Sequence, residues 1–238
     1  MKTLIGGNSH TGALKKGLEE AGAQNEIDVF VFGSAVVELA PFSAIENGRV
    51  VFTEEEYARN LRRLAGFDDF DPSIRWGLCM GTHNARLYRD RFWREAEPSA
   101  IARTGRRPVT LGLLQAMIEQ DQKYTRRFIT QLKSARAAVF VVSCPPPRRD
   151  HAAIDAGTRP EVVQTIDAEA RRHFRQWLGD HEVDFVDYPP ETADADGFLK
   201  PHYAAGVKEN GRLDPHHANE AYGRLMIGAI DGYLSSQR

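Results

Sequence analysis

The stretch Thr3-Leu4-Ile5-Gly6-Gly7-Asn8-Ser9-His10-Thr11-Gly12 joins a short apolar run to the helical pattern Ala13–Ala21. Thr3–Ile5 reads as a strand running into a Gly-Gly turn, because two glycines let a backbone turn sharply. The same alternation recurs down the chain. Ile27–Phe32, Ile74–Met80, Ala137–Val142 and Val183–Val186 are further strand candidates, closed by Gly33, Gly81, Pro145-Pro146-Pro147 and Pro189-Pro190. Continuous apolar runs of this kind suit strands covered on both faces. Between them lie helical patterns: Glu54–Leu64 behind Thr53 as N-cap with Glu56 three residues on, amphipathic Leu111–Lys133, Glu161–Leu178 behind Pro160, and His217–Leu234. Five strands alternating with helices predict a parallel, doubly wound α/β sheet. Residues 35–53 and 85–109 read as insertions, each after the C-terminal end of a strand, where such sheets put their ligands.

Composition mainly excludes. The chain has 238 residues, 42% hydrophobic and 27% charged, which is ordinary for a globular protein and unlike disorder or a fibrous repeat. One domain with a self-sufficient core is expected at this length. Lys+Arg 31 against Asp+Glu 33 gives a net charge of −2, without the basic excess of a general nucleic-acid binder, so no nucleic-acid partner is expected. Cys79 and Cys144, each beside an apolar segment, read as two buried thiols of a reducing compartment, with a single disulfide as the alternative. The apolar run at the N-terminus is too short for a signal peptide, and the longest run, Ala137–Val142, is far below the roughly 20 residues that span a bilayer. A cytoplasmic protein is the expectation.

Three constellations could carry chemistry. In Gly6-Gly7-Asn8-Ser9-His10-Thr11-Gly12, N–H groups at a helix start favour an anion or oxyanion. A phosphate loop is a poor reading, since Ala13 and Leu14 stand where Lys and Ser/Thr are required, and no G-x-G-x-x-G is present. Ser9 is either a nucleophile at the strand-to-helix turn or, like Thr11, a helix cap. In Asp214-Pro215-His216-His217-Ala218-Asn219, Asp214 and His217 stand three apart and supply the base and orienting carboxylate a serine needs; alternatively Asp214 caps the last helix with Pro215 at its first position, and His216 could serve as base instead. In Gly81-Thr82-His83-Asn84, at the end of the third strand, a polar side chain can donate to an oxyanion or merely stabilise a turn. Gly33 could offer a backbone N–H in the same way. All these positions fall along one edge of the predicted sheet.

Taken together and in order, these residues resemble the SGNH hydrolases, the GDSL-like esterases. Gly7-Asn8-Ser9 is similar to that family's Gly-Asp-Ser turn, Gly33 to its second-block glycine, Gly81-Thr82-His83-Asn84 to its Gly-x-Asn-Asp, and Asp214-Pro215-His216-His217 meets its Asp-x-x-His without gaps. Asn219 and Tyr222-Gly223 also look like the family's final helix. The resemblance implies a flavodoxin-like three-layer α/β/α sandwich around five parallel strands and acyl transfer to water through an acyl-enzyme on Ser9. His217 would be the base and Asp214 its orienting carboxylate. The N–H groups of Ser9 and Gly33, with Asn84, would receive the oxyanion. The chain departs from the pattern twice: Asn8 replaces the acid, and strict alignment puts His83 at the oxyanion position, with Asn84 one place late.

The implied substrate is a small-molecule ester, such as a short acyl ester or an O-acetylated sugar, with His83, His202 and His216 as candidate contacts and no cofactor. Two rivals remain at this stage. One is a metal-dependent hydrolase built on His10, His83, His202, His216 and His217, although no H-E-x-x-H or comparable ligand spacing exists and no metal is expected. The other is a non-catalytic carbohydrate- or partner-binding protein of the same fold. The arginine-rich segment 86–107 reads as a solvated, partly ion-paired surface, helped by Asp90, Glu95 and Glu97, with an anion-binding role as the alternative.

Overall fold

The computed structural model describes residues 2–207, 211, 214 and 216–237. In chain order the elements are β1 (Thr3–Asn8), α1 (Thr11–Ala21), β2 (Ile27–Gly33), β3 (Ser43–Glu46), β4 (Arg49–Phe52), α2 (Glu55–Asn60), β5 (Arg75–Cys79), α3 (Ala85–Tyr88), β6 (Ala96–Pro98), β7 (Arg107–Val109), α4 (Leu111–Ser134), β8 (Ala138–Val142), α5 (Ala152–Asp155), α6 (Pro160–Asp180), β9 (Asp184–Val186) and α7 (Glu220–Ser236). Five strands form one sheet in the order β2-β1-β5-β8-β9, and every pair is parallel. These are the five strands expected from the apolar runs.

Helices cover both faces, as continuous apolar strands require. On one face Ile5, Val29, Phe140 and Val142 pack with Leu14 of α1 and Tyr222, Met226, Ile227 and Ile230 of α7. On the other, Leu4, Phe32, Trp76, Leu78 and Val141 pack with Phe128 and Leu132 of α4 and Phe174 and Leu178 of α6. The first insertion holds the antiparallel hairpin β3–β4 and the second the short parallel pair β6–β7. Cys79 and Cys144 are free and fully buried, with their sulfurs 4.0 Å apart. No helix among the described residues is long and apolar enough to cross a membrane.

Three expectations are corrected. Gly6 and Gly7 do not turn; β1 continues through them to Asn8. They are glycines because the neighbouring strands come too close for a side chain: a Cβ at Gly6 would lie 2.3 Å from the Phe32 ring, and one at Gly7 would lie 2.2 Å from the Cys79 carbonyl oxygen. The second helix is capped by Glu54 rather than Thr53, with the Glu54 carboxylate accepting from the Glu56 N–H at 2.8 Å. It is regular only to Asn60, and a wider π turn, Leu61–Ala65, completes it. The last helix starts at Glu220, where the Asn219 side chain accepts from the Tyr222 N–H at 3.2 Å, so Asp214 and His217 lie in the loop before it. Pro215, expected at the first helical position, lies outside the described residues.

Candidate active site

Ser9 follows β1 directly and is exposed at the C-terminal edge of the sheet. It does not cap α1: the N-cap residue is His10, with no side-chain cap bond. Instead the Ser9 hydroxyl lies 2.8 Å from His217 Nε2. His217 Nδ1 lies 2.9 and 2.8 Å from the two Asp214 carboxylate oxygens. Asp214 Oδ1 also accepts from the His216 N–H at 3.0 Å and the His217 N–H at 3.1 Å. Burial pushes the Asp214 carboxyl up, but the hydrogen bonds from the His216 N–H, the His217 ring and the His217 N–H outweigh it and hold the group well below the usual carboxylate range. Residues 208 positions apart thus form a hydrogen-bonded hydroxyl–imidazole–carboxylate relay.

The turn that presents Ser9 is braced from below. The Asn8 side-chain oxygen Oδ1 accepts from the His10 N–H at 3.1 Å, and its Nδ2 donates to Glu38 at 2.9 Å. Glu38 is fully buried; desolvation raises its carboxyl, opposed by Arg86, 3.7 Å away, and by Asn8. Arg86 in turn forks onto Asp121 at 2.9 and 3.1 Å. The first arginine of the 86–107 segment therefore serves a buried network under the serine turn. Arg103 and Arg106 pair with Glu161 and Glu97, and Arg89, Arg91, Arg94 and Arg107 are exposed.

Gly33 ends β2 directly opposite Asn8, and a Cβ there would lie 2.8 Å from the Glu56 carboxyl carbon. Asn84 is buried and donates from Nδ2 to Asp167 at 2.9 Å; its Oδ1 has no protein partner. Asp167 is held by Arg171 at 2.7 Å, one helical turn on in α6. His83 is half-buried, its ring 4.2 Å from that of His10, and the His10 ring is 4.8 Å from that of His217. Desolvation, then neighbouring imidazoles, push His10 well below the ordinary histidine range; for His83 desolvation and then Arg86 do the same. Both rings are neutral at pH 7.

Thr82, His83, Asn84, His10, His151 and His216 line a cavity beside the relay, with Pro145–Pro147 and Arg148 closing it. Its inner space is about 10 Å³, room for roughly one water. His10 Nδ1, Asn84 Oδ1 and His151 Nε2 are buried around it without protein partners. His202 lies apart: it is exposed, its ring against Tyr203, and its carbonyl oxygen accepts from Asn219 at 2.7 Å. Among the described residues, no group of three or more His, Cys, Asp or Glu side chains is arranged to hold a metal ion.

No protein-family model and no curated protein sequence matches the chain. Solved structures match it in fold. A GDSL-like lipase from Bacteroides thetaiotaomicron superposes with a TM-score of 0.52 at 12% identity, over 100% of this chain and 89% of that one. The chain has the SGNH-hydrolase fold. A carbohydrate acetylesterase family member from Sinorhizobium meliloti gives 0.50 at 14% identity, over 99% and 98% of the two chains. The OSK domain of Drosophila Oskar gives 0.52 at 12%, over 97% and 86%. In the SGNH-hydrolase fold seen here, the ends of β1, β2 and β5 and the loop before α7 all open on one edge of the sheet. Glu38, Asp167, Arg171 and Arg148 were not singled out in the sequence. Only the Asp167–Arg171 pair left a signal there, an i,i+4 spacing of opposite charges.

Proposed function

We propose that the chain is a serine esterase that cleaves a carboxylic ester through an acyl-enzyme on Ser9. The observation that carries this reading is the continuous relay from the exposed Ser9 hydroxyl through His217 to Asp214, at 2.8 Å for each of its two closest links. His217 Nε2 takes the hydroxyl proton as Ser9 attacks the ester carbonyl. Asp214, ionised throughout the working pH range, keeps the Nδ1 proton in place and steadies the imidazolium. The Ser9 and Gly33 N–H groups and the Asn84 amide receive the developing oxyanion; removing one such donor typically costs about 2.7–4 kcal/mol of transition-state stabilisation. His217 then returns its proton to the leaving alcohol, activates a water and releases the acid. Asp167 orients Asn84: its hydrogen bond occupies one N–H of the amide and leaves the other for the oxyanion.

A short acyl ester or an O-acetylated sugar is the substrate class this reading favours, in keeping with the fold neighbour named as a carbohydrate acetylesterase. The test is labelling with a fluorophosphonate probe, followed by a panel of acyl esters with Ser9→Ala as control. A mass increment on the peptide carrying Ser9, and turnover abolished by Ser9→Ala, are expected. Unchanged turnover in Ser9→Ala removes the serine reading, and activity lost to EDTA and restored by zinc replaces it with metal chemistry.

A further inference from the structure

The segment Cys144-Pro145-Pro146-Pro147-Arg148 leaves β8 as a stiff strap, because each proline fixes its φ near −65°. Both ends are tied. Arg171 donates to the Cys144 carbonyl at 3.0 Å and the Pro145 carbonyl at 2.8 Å, and the Leu199 N–H donates to the Pro147 carbonyl at 2.9 Å. The strap delivers Arg148, which is only 4% exposed. Its Nε and Nη2 fork onto Asp150 at 2.8 and 2.6 Å, which fixes the plane of the guanidinium. Its Nη1 is then left facing three backbone carbonyls, of Ala205 at 2.9 Å, Asp214 at 2.5 Å and His217 at 3.4 Å.

Those carbonyls belong to the loop that carries both the carboxylate and the base of the relay. The chain passes through Ala205 and Gly206 and returns at Asp214 and His217, joined by Ala205 N–H to His217 carbonyl at 2.9 Å and Asp214 N–H to Gly206 carbonyl at 3.0 Å. No helix or strand element holds Asp214 or His217; the His217 carbonyl takes the Ala205 N–H within the loop, and Arg148 Nη1 is the side-chain donor that reaches the carbonyls of both residues. We propose that Arg148 is a positioning residue for the Asp214–His217 pair, fixing the backbone from which both side chains project. It grips carbonyls and leaves the Asp214 carboxylate to His217, so it sets geometry without competing for the charge. The inference rests on the serine-esterase reading.

Because a misplacement of about 1 Å costs on the order of 10²-fold in rate, Arg148→Ala is expected to lower kcat about 100-fold with KM nearly unchanged. Both are measured on a p-nitrophenyl ester and normalised to the active fraction by burst titration. The rate of fluorophosphonate labelling at Ser9 falls in parallel. Guanidinium ion at millimolar concentration restores part of the lost kcat, and urea at the same concentration does not. Arg148→Lys recovers little, because one ammonium cannot span the Asp150 fork and the carbonyls together. A merely structural role would alter the active fraction without the kcat–KM split or the rescue. If Arg148→Ala does not fold, Asp150→Ala decides, since that side chain is half exposed: a roughly tenfold fall in kcat is expected, and wild-type kcat overturns the proposal. Normal labelling of Ser9 together with wild-type rates in Arg148→Ala overturns it and spares the serine reading. No adduct and no Ser9-dependent turnover in the native chain overturns both.

Discussion

Gly17 of α1 and Gly223 of α7 meet backbone to backbone: a Cβ on Gly17 would lie 2.2 Å from the Gly223 carbonyl carbon, and one on Gly223 would lie 1.9 Å from the Ala13 carbonyl oxygen. The two helices therefore lie closer than side chains would allow. Ser9 sits just before the start of α1, and His217 just before the start of α7, so the glycine contact sets the distance across which the relay closes. Gly223→Ala is expected to force the helices apart. Overpacking of this kind typically costs about 1–3 kcal/mol, and activity should fall further than the loss of folded protein explains. Urea unfolding with burst-normalised kcat measures both; wild-type values in both would show that the helices tolerate the methyl.

Asn8 stands where the Gly-Asp-Ser pattern that the chain resembles has an acid, and its contact with Glu38 suits an amide there. The amide donates to a fully buried carboxylate at 2.9 Å. Asn8→Asp would set two carboxylates against each other in the same dry site, where one must take up a proton or leave. A destabilisation of about 3 kcal/mol is expected, in the range for an uncompensated buried charge. Adding Glu38→Gln to Asn8→Asp should recover much of it. Comparing the urea midpoints of the two single variants and the double variant tests the coupling; strict additivity would contradict it.

In the proposed mechanism Asp214 acts through the tautomer it imposes on His217. In Asp214→Asn the residue keeps its shape and an acceptor for the His216 and His217 N–H groups, but its amide can present an N–H to the imidazole where the carboxylate only accepts. The expected result is a fall in kcat of about 10⁴ with little change in stability. A loss below tenfold, read by steady-state kinetics at pH 7 to 8, would leave Asp214 as a loop brace alone.

How much of this was legible in the sequence follows from what each feature depends on. The five strands were readable because their covered faces demand unbroken apolar runs. That Asp214 and His217 meet was legible in their three-residue spacing, and that Ser9 meets them followed from its expected place on the same edge of the sheet. Gly6 and Gly7 were misread, because a glycine in a turn and a glycine under a neighbouring strand look alike until Phe32 and Cys79 are in place. The start of the last helix was misread because Asp214 and Asn219 are both good caps, and Asp214 is already engaged by His217. Glu38 under Asn8, Asp167 under Asn84 and Arg148 under Asp214 were not legible. They are 30, 83 and 66 residues from their partners, and each pairing exists only through the tertiary fold.

The histidines around the cavity make stability depend on acid. Burial is the main force lowering His10 and His83, and it lowers His151, with His216 next in effect, to about 4. These groups are neutral in the folded chain, but they take up protons in the unfolded chain once the pH falls below about 6.5. A depressed folded value means that the stabilisation is complete above about pH 6.5 and is lost as the pH falls toward the folded value, near 4 for His151. Each histidine that binds a proton only on unfolding steepens the loss by up to about 1.4 kcal/mol per pH unit. Urea unfolding at pH 8, 6.5, 5.5 and 4.5 should therefore give a level midpoint down to about 6.5 and a steep decline below it. His151→Gln, which removes one of the titrating rings together with the Nδ1 that accepts the Ala153 N–H at 3.1 Å, should shallow that decline whatever its effect on the plateau. Equal midpoints at pH 8 and 5 would mean that the rings can charge in place, and that the cavity they line is wetter than its one-water size implies.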